Sequence, residues 1–89
     1  MVENYEITDE ADRELDKAIC YFKFLGKEEE FLDDFLAQIE LVIKMPQAFQ
    51  IKYKNVRIVP LNYFNYAIHY AVFEKTVFVL RIINQSQHY

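Results

Sequence analysis

The sequence predicts an α+β fold of order β-α-α-β-β-β, a helical hairpin packed on a mainly antiparallel sheet. Three observations carry that expectation. Residues 64–72 (FNYAIHYAV) alternate, placing Phe64, Tyr66, Ile68, Tyr70 and Val72 on one face and Asn65, Ala67, His69 and Ala71 on the other. Residues 76–83 (TVFVLRII) are apolar on both faces except at Arg81, as expected of a strand inside a sheet. Ahead of these, two stretches repeat their apolar residues at helical spacing and need a surface to cover.

Taken in order, residues 2–7 (VENYEI) alternate briefly and predict a short first strand. Thr8 stands where a helix N-cap belongs, and Asp9, Glu10 and Asp12 suit the positive end of the helix dipole. Ala11, Leu15, Ala18, Ile19 and Phe22 then mark one face of a helix over about 9–25. Gly26, the only glycine, sits where a residue of positive φ would close it. A second helix follows, with Phe31, Phe35, Ile39, Val42 and Ile43 as its stripe, Glu28, Glu29 and Glu30 in its first turn and Pro46 as its stop. Their short connection predicts an antiparallel pair. FQIKY (49–53) alternates, Lys54 and Asn55 read as a tight turn with Asn55 suited to left-handed geometry, and Val56–Val59 resumes as a strand until Pro60. Glu74 and Lys75 turn the alternating strand into the last one.

Composition narrows the function classes. Eighty-nine residues read as one domain, 1–89, and a hydrophobic fraction of 53% with fifteen Phe and Tyr excludes a disordered chain. One Gly excludes a glycine-rich phosphate loop, and the lone Cys20 excludes an internal disulfide or a Cys-based metal site. With neither a leader-like start nor a run of eighteen apolar residues, the chain is expected to be cytoplasmic, without a membrane span, metal or other cofactor. Residues 1–45 hold thirteen acids against five bases, a balance of −8, whereas residues 46–89 hold one acid against five bases, +4. The split fits one surface that meets a polyanion, and equally fits helices that carry solvated acids.

Three fragments, in order and at matching spacing, carry a family resemblance over nearly the whole chain. ITDEADRELDKAICYF is similar to an "ITxxAxxDLxxIxxYY" pattern, YKNVRIVPLNYFNYAIHYAV to "R…L…FPYxIxYxV", and VLRIINQSQHY to a strand ending in "HxxR-x-P". These patterns belong to the RelE/ParE superfamily, the toxins of bacterial type II toxin–antitoxin systems that include plasmid-stabilisation proteins. Phe64-Asn65-Tyr66 stands where FPY is usual, Asn84 where His is frequent, Gln87 where Arg is frequent, and Tyr89 where Pro is frequent.

The resemblance implies a cognate antitoxin as partner and one of two outputs: ribosome-dependent mRNA cleavage in RelE-like members, or poisoning of DNA gyrase in ParE-like ones. RNA cleavage needs a proton acceptor, a proton donor and cations around the phosphorane. Arg57 and Arg81 match positions that resemble active-site cations and are the candidate catalytic residues, with Lys52, Lys54, Asn84, Gln87 and Tyr89 as candidate target-binding residues. Each has a structural alternative: solvated hairpin lysines, an edge-strand charge at Arg57, a helix carboxylate paired with Arg81, a frayed end at Tyr89. His69 reads as a half-buried structural residue, His88 has no partner carboxylate, and the aromatic stripe of 64–70 reads as the core face rather than an RNA platform. An amide cannot shuttle a proton as His can, so Asn84 and Gln87 tilt the expectation toward the gyrase-directed output. The other readings are a non-toxic, catalytically degenerate module that pairs with an antitoxin or with itself, and an unrelated α+β domain.

Overall fold

Thr8 begins the first helix as its neighbourhood in sequence requires: its Oγ1 accepts from the Ala11 N–H at 3.2 Å, in extended backbone at the N-cap. The computed structural model describes residues 4–85, so Val2 and Glu3 of the expected first strand lie outside the described residues. Strand β1 is Asn4–Ile7, helix α1 Asp9–Phe24 and helix α2 Glu28–Lys44. Between the helices Gly26 takes φ 74°, its N–H donates to the Lys23 carbonyl and the Lys27 N–H to that of Phe22. This paired closure needs left-handed backbone at the residue after the cap, which a side chain would strain.

Four strands follow the helices: β2 Ile51–Tyr53, β3 Val56–Pro60, β4 Tyr66–Phe73 and β5 Thr76–Asn84. FQIKY thus contributes a three-residue strand of its own. The sheet order is β1-β5-β4-β3-β2, antiparallel throughout except for β1 against β5. Both hairpin turns stand where expected, at Lys54-Asn55 and at Glu74-Lys75. In the first, Lys54 rather than Asn55 takes the positive φ. In the β4–β5 turn both Glu74 (φ 48°) and Lys75 (φ 68°) are left-handed, the geometry a two-residue hairpin needs to match strand twist.

The helices cover one face of the sheet. Ala11, Leu15, Ala18 and Phe22 of α1 and Phe31, Phe35, Ile39 and Val42 of α2 are buried against Val59, Ile68, Tyr70, Val77, Val79 and Ile82. Removing each large side chain from water is worth about 1.5–3 kcal/mol. At one end Phe22 stacks on Phe31 with centroids 4.8 Å apart, and both meet Phe64 and Tyr66 edge-on, which ties the helical hairpin to the start of β4. Of the stripe expected on the core face, Ile68 and Tyr70 are fully buried, Phe64 and Tyr66 partly, while Val72 runs out into solvent. Among the described residues no helix is long and apolar enough to cross a membrane.

Candidate functional site

Cross-strand partners share a face of the sheet, so register decides where each candidate residue stands. Arg57 pairs with Tyr70 and, on its other side, with Ile51; Tyr70 is buried under the helices, so Arg57 belongs to the helix-covered face. Arg81 pairs with His69, one residue on, and therefore starts from the opposite, helix-free face. With β4 between them, the two strands are two spacings, about 10 Å, apart. The two candidate catalytic arginines are thus not brought together. Arg57 donates to the Phe49 carbonyl and lines a shallow cleft with Pro46, Gln47 and Val72, bracing the segment that leads from α2 into β2.

Arg81 is held by α1. Its Nε lies 3.0 Å from both Glu14 carboxylate oxygens and its Nη2 2.7 Å from Oε2, with Glu10 a further 3.6 Å neighbour. The reason lies in the sheet edge. Strand β1 ends with Ile7 opposite Val79, but β5 runs on to Asn84, leaving an open edge beside α1. Thr8 covers its beginning, its N–H donating to the Val79 carbonyl and its hydroxyl to that of Leu80. Glu14 covers the next donor, accepting the Ile82 N–H at 2.9 Å. A register shift opposite His69/Tyr70 makes Leu80 an extra residue and turns this stretch toward the helix. Partial burial alone would push the Glu14 carboxyl up, but the hydrogen bonds from Arg81 and Ile82 and the Arg81 charge outweigh it and hold it below the usual range. The same hydrogen bond and charge raise the Arg81 guanidinium further.

On the helix-free face, His69 is 2% exposed, more deeply buried than expected, because Tyr53 lies over it. The Tyr53 hydroxyl and His69 Nδ1 share a hydrogen bond of 3.0 Å. Burial, then the nearby Arg81 charge, lowers the imidazole below its ordinary value, against a smaller opposing effect of Glu14. Lys52 and Lys54 are exposed on the β2–β3 hairpin, Lys54 in its turn. Asn84, half-buried opposite Tyr66, lines a groove of about 540 Å³ between β5 and α1 together with Lys17, Tyr21 and Arg81. Gln87 and Tyr89, like His88, lie outside the described residues. Among the described residues no three His, Cys, Asp or Glu side chains gather as a metal site.

The structural alternative for Arg81, a pair with a helix carboxylate, is what the structure shows, with the carboxylate being Glu14. Glu14 itself looks like one more acid on a helix surface, and only β5's overhang past β1 gives it a role; a second grouping went unread altogether. Asp34 and Gln38, buried on α2, form a clamp on the β3–β4 loop: Asp34 accepts the Asn62 and Tyr63 N–H groups at 3.0 and 2.7 Å, and Gln38 Nε2 donates to the Pro60 carbonyl at 2.7 Å. Their spacing of four, beside the apolar stripe, was the available signal.

Chemically, the Nε and Nη2 edge of Arg81 is already engaged by the Glu14 carboxylate. The fold matches a chain of the chromosomal ParDE toxin–antitoxin system from P. aeruginosa with a TM-score of 0.67, over 94% of this chain and 96% of that one, at 21% identity. No curated protein sequence matches significantly. Residues 5–89 match the model of a family described as the ParE toxin of the type II toxin–antitoxin system parDE. A helical hairpin on this five-stranded sheet, together with that match over almost the whole length, places the chain in the ParE toxin family of type II toxin–antitoxin systems.

Proposed function

We propose that the chain is the toxin of a two-protein module, silenced by a cognate antitoxin, and that it acts by binding its target rather than by cutting RNA. DNA gyrase is the favoured target, in keeping with the family's name, and the cytoplasm is the corresponding compartment. One observation carries the choice of output: the two arginines that an RNA-cleaving site would need together stand two strands apart, Arg57 bonded to the Phe49 carbonyl and Arg81 engaged by Glu14. Stabilising a phosphorane requires cations converging on one point. Target binding requires only exposed groups, which Lys52 and Lys54 supply.

Inducible expression in a bacterial host, with and without the product of the neighbouring reading frame, tests the reading. Growth arrest relieved by the neighbour is expected, together with inhibition of gyrase supercoiling by purified protein and intact mRNA on stalled ribosomes. Cleaved mRNA, abolished by Arg81→Ala, would reverse the choice of output. Unimpaired growth with well-expressed protein would favour the non-toxic binding module.

A further inference from the structure

Along α2, Glu30, Asp33, Asp34 and Ala37 recur at i, i+3, i+4 and i+7 and share one face. That face fronts the β3–β4 loop, whose Asn62, Tyr63 and Phe64 form the opposite wall of a groove of about 640 Å³, with Lys27 at its rim. The wall is fixed in place. Asp34 holds the Asn62 and Tyr63 N–H groups, Gln38 holds the Pro60 carbonyl, and Asn62 Nδ2 donates back to Gln38 Oε1 at 3.2 Å. With its backbone clamped, the loop nevertheless leaves the Tyr63 ring 86% exposed and Phe64 only partly covered. An exposed aromatic ring on a rigid wall opposite a small Ala37 forms an apolar slot whose ordering cost is already met by folding.

We propose that this groove seats a segment of the antitoxin in which an aromatic or aliphatic anchor enters beside Ala37 and Tyr63, flanked by Lys or Arg that pair with Glu30 and Asp33. The inference rests on the toxin–antitoxin reading above and adds the place and the chemistry of the contact. Charge selects the occupant. Glu28, Glu29 and Glu30 in the first turn of α2, with Asp33 beyond, repel nucleic acid and favour a cationic chain. A second copy of this chain fits poorly: the aromatic residue between its hairpin lysines Lys52 and Lys54 is Tyr53, which already lies over His69 with its hydroxyl bonded to Nδ1. An amphipathic segment laid in a groove satisfies both demands, the apolar anchor giving affinity and the flanking charges orientation.

The test uses the full chain and the protein encoded by the neighbouring reading frame, first intact and then as labelled 15-residue peptides tiling it, read by fluorescence anisotropy. One peptide with an apolar residue between basic ones is expected to bind. Asp33→Lys and Tyr63→Ala, both at exposed side chains, should each weaken it about tenfold or more, while Glu40→Lys, the same charge change away from the groove, should leave it unchanged. Circular dichroism confirms that each variant is folded. Equal weakening by Glu40→Lys, insensitivity to Asp33→Lys and Tyr63→Ala, or absence of any binding peptide overturns the groove assignment. In cells, a neighbour that rescues wild type and both variants equally overturns the groove and leaves the toxin–antitoxin reading standing. A neighbour that fails to rescue wild type overturns that reading itself.

Discussion

Replacing Glu14 by Ala removes two attachments at once. Arg81 loses the carboxylate that receives its Nε and Nη2, and the Ile82 N–H loses its acceptor on an edge that β1 does not cover. A hydrogen bond to a charged acceptor contributes about 1.5–3 kcal/mol net. The ion pair adds less, because the Arg81 side chain is 41% exposed and solvent screens it toward the roughly 0–1 kcal/mol of surface pairs. Glu14→Ala should therefore cost about 2 kcal/mol, roughly 8–16 °C in Tm for a domain of this size. Glu14→Gln keeps an oxygen for the Ile82 N–H and should cost about half as much. The effect carries a pH signature. Because the folded carboxyl titrates below its unfolded value near 4.5, its contribution is complete above that pH and is lost as pH falls through the folded value. Urea unfolding at pH 7 and pH 4 of wild type, Glu14→Ala, Arg81→Ala and the double variant measures this. A coupling energy under about 0.3 kcal/mol, within the scatter of independent sites, or a Gln variant no more stable than the Ala variant, would refute the reasoning.

His69 gives a second pH window: its folded pKa is depressed, so stability is complete above about pH 6.5 and declines as pH falls toward the folded value. Denaturant midpoints between pH 7.5 and 5.5 should show the decline in wild type and lose it in His69→Gln. Asp34→Ala should cost about 2 kcal/mol and collapse amide-exchange protection at Asn62 and Tyr63, whereas protection in the β4–β5 ladder persists. Lys75→Gly relieves a left-handed side-chain residue and should raise stability by about 0.5–1 kcal/mol, seen as a higher Tm.

The helices were legible because each boundary is a local event. Thr8, Gly26 and Pro46 each act on backbone within a few residues, and α1 and α2 end within a residue or two of the positions they mark. Strand β4 was legible on its core face, where Ile68 and Tyr70 alternate as expected, but not on the other. His69 is buried there because Tyr53, from a strand two places away in the sheet, folds over it. The partner of Arg81 depends on where β1 stops relative to β5, a difference in length between strands at opposite ends of the sequence that no local pattern encodes. The separation of Arg57 from Arg81 is likewise a matter of parity: with Tyr70 and His69 adjacent on β4, a one-residue difference in register sends their partners to opposite faces.

The parallel pairing of β1 with β5 also has a bearing on when the protein becomes whole. The Thr8 hydroxyl and the Leu80 carbonyl it meets are 72 residues apart in sequence, and among the described residues no other strand borders β1. During synthesis the first strand and the capping threonine emerge early and wait for Thr76–Asn84, which at 5–20 residues per second is about 4–14 s later. Strand β5 is also the inner partner of β4 and a wall of the core, so until it is made the helices have half a sheet to pack on. Maturation is therefore nearly all-or-none along the chain. A chain that stops short of β5 lacks both the neighbour of β1 and a central wall of the core.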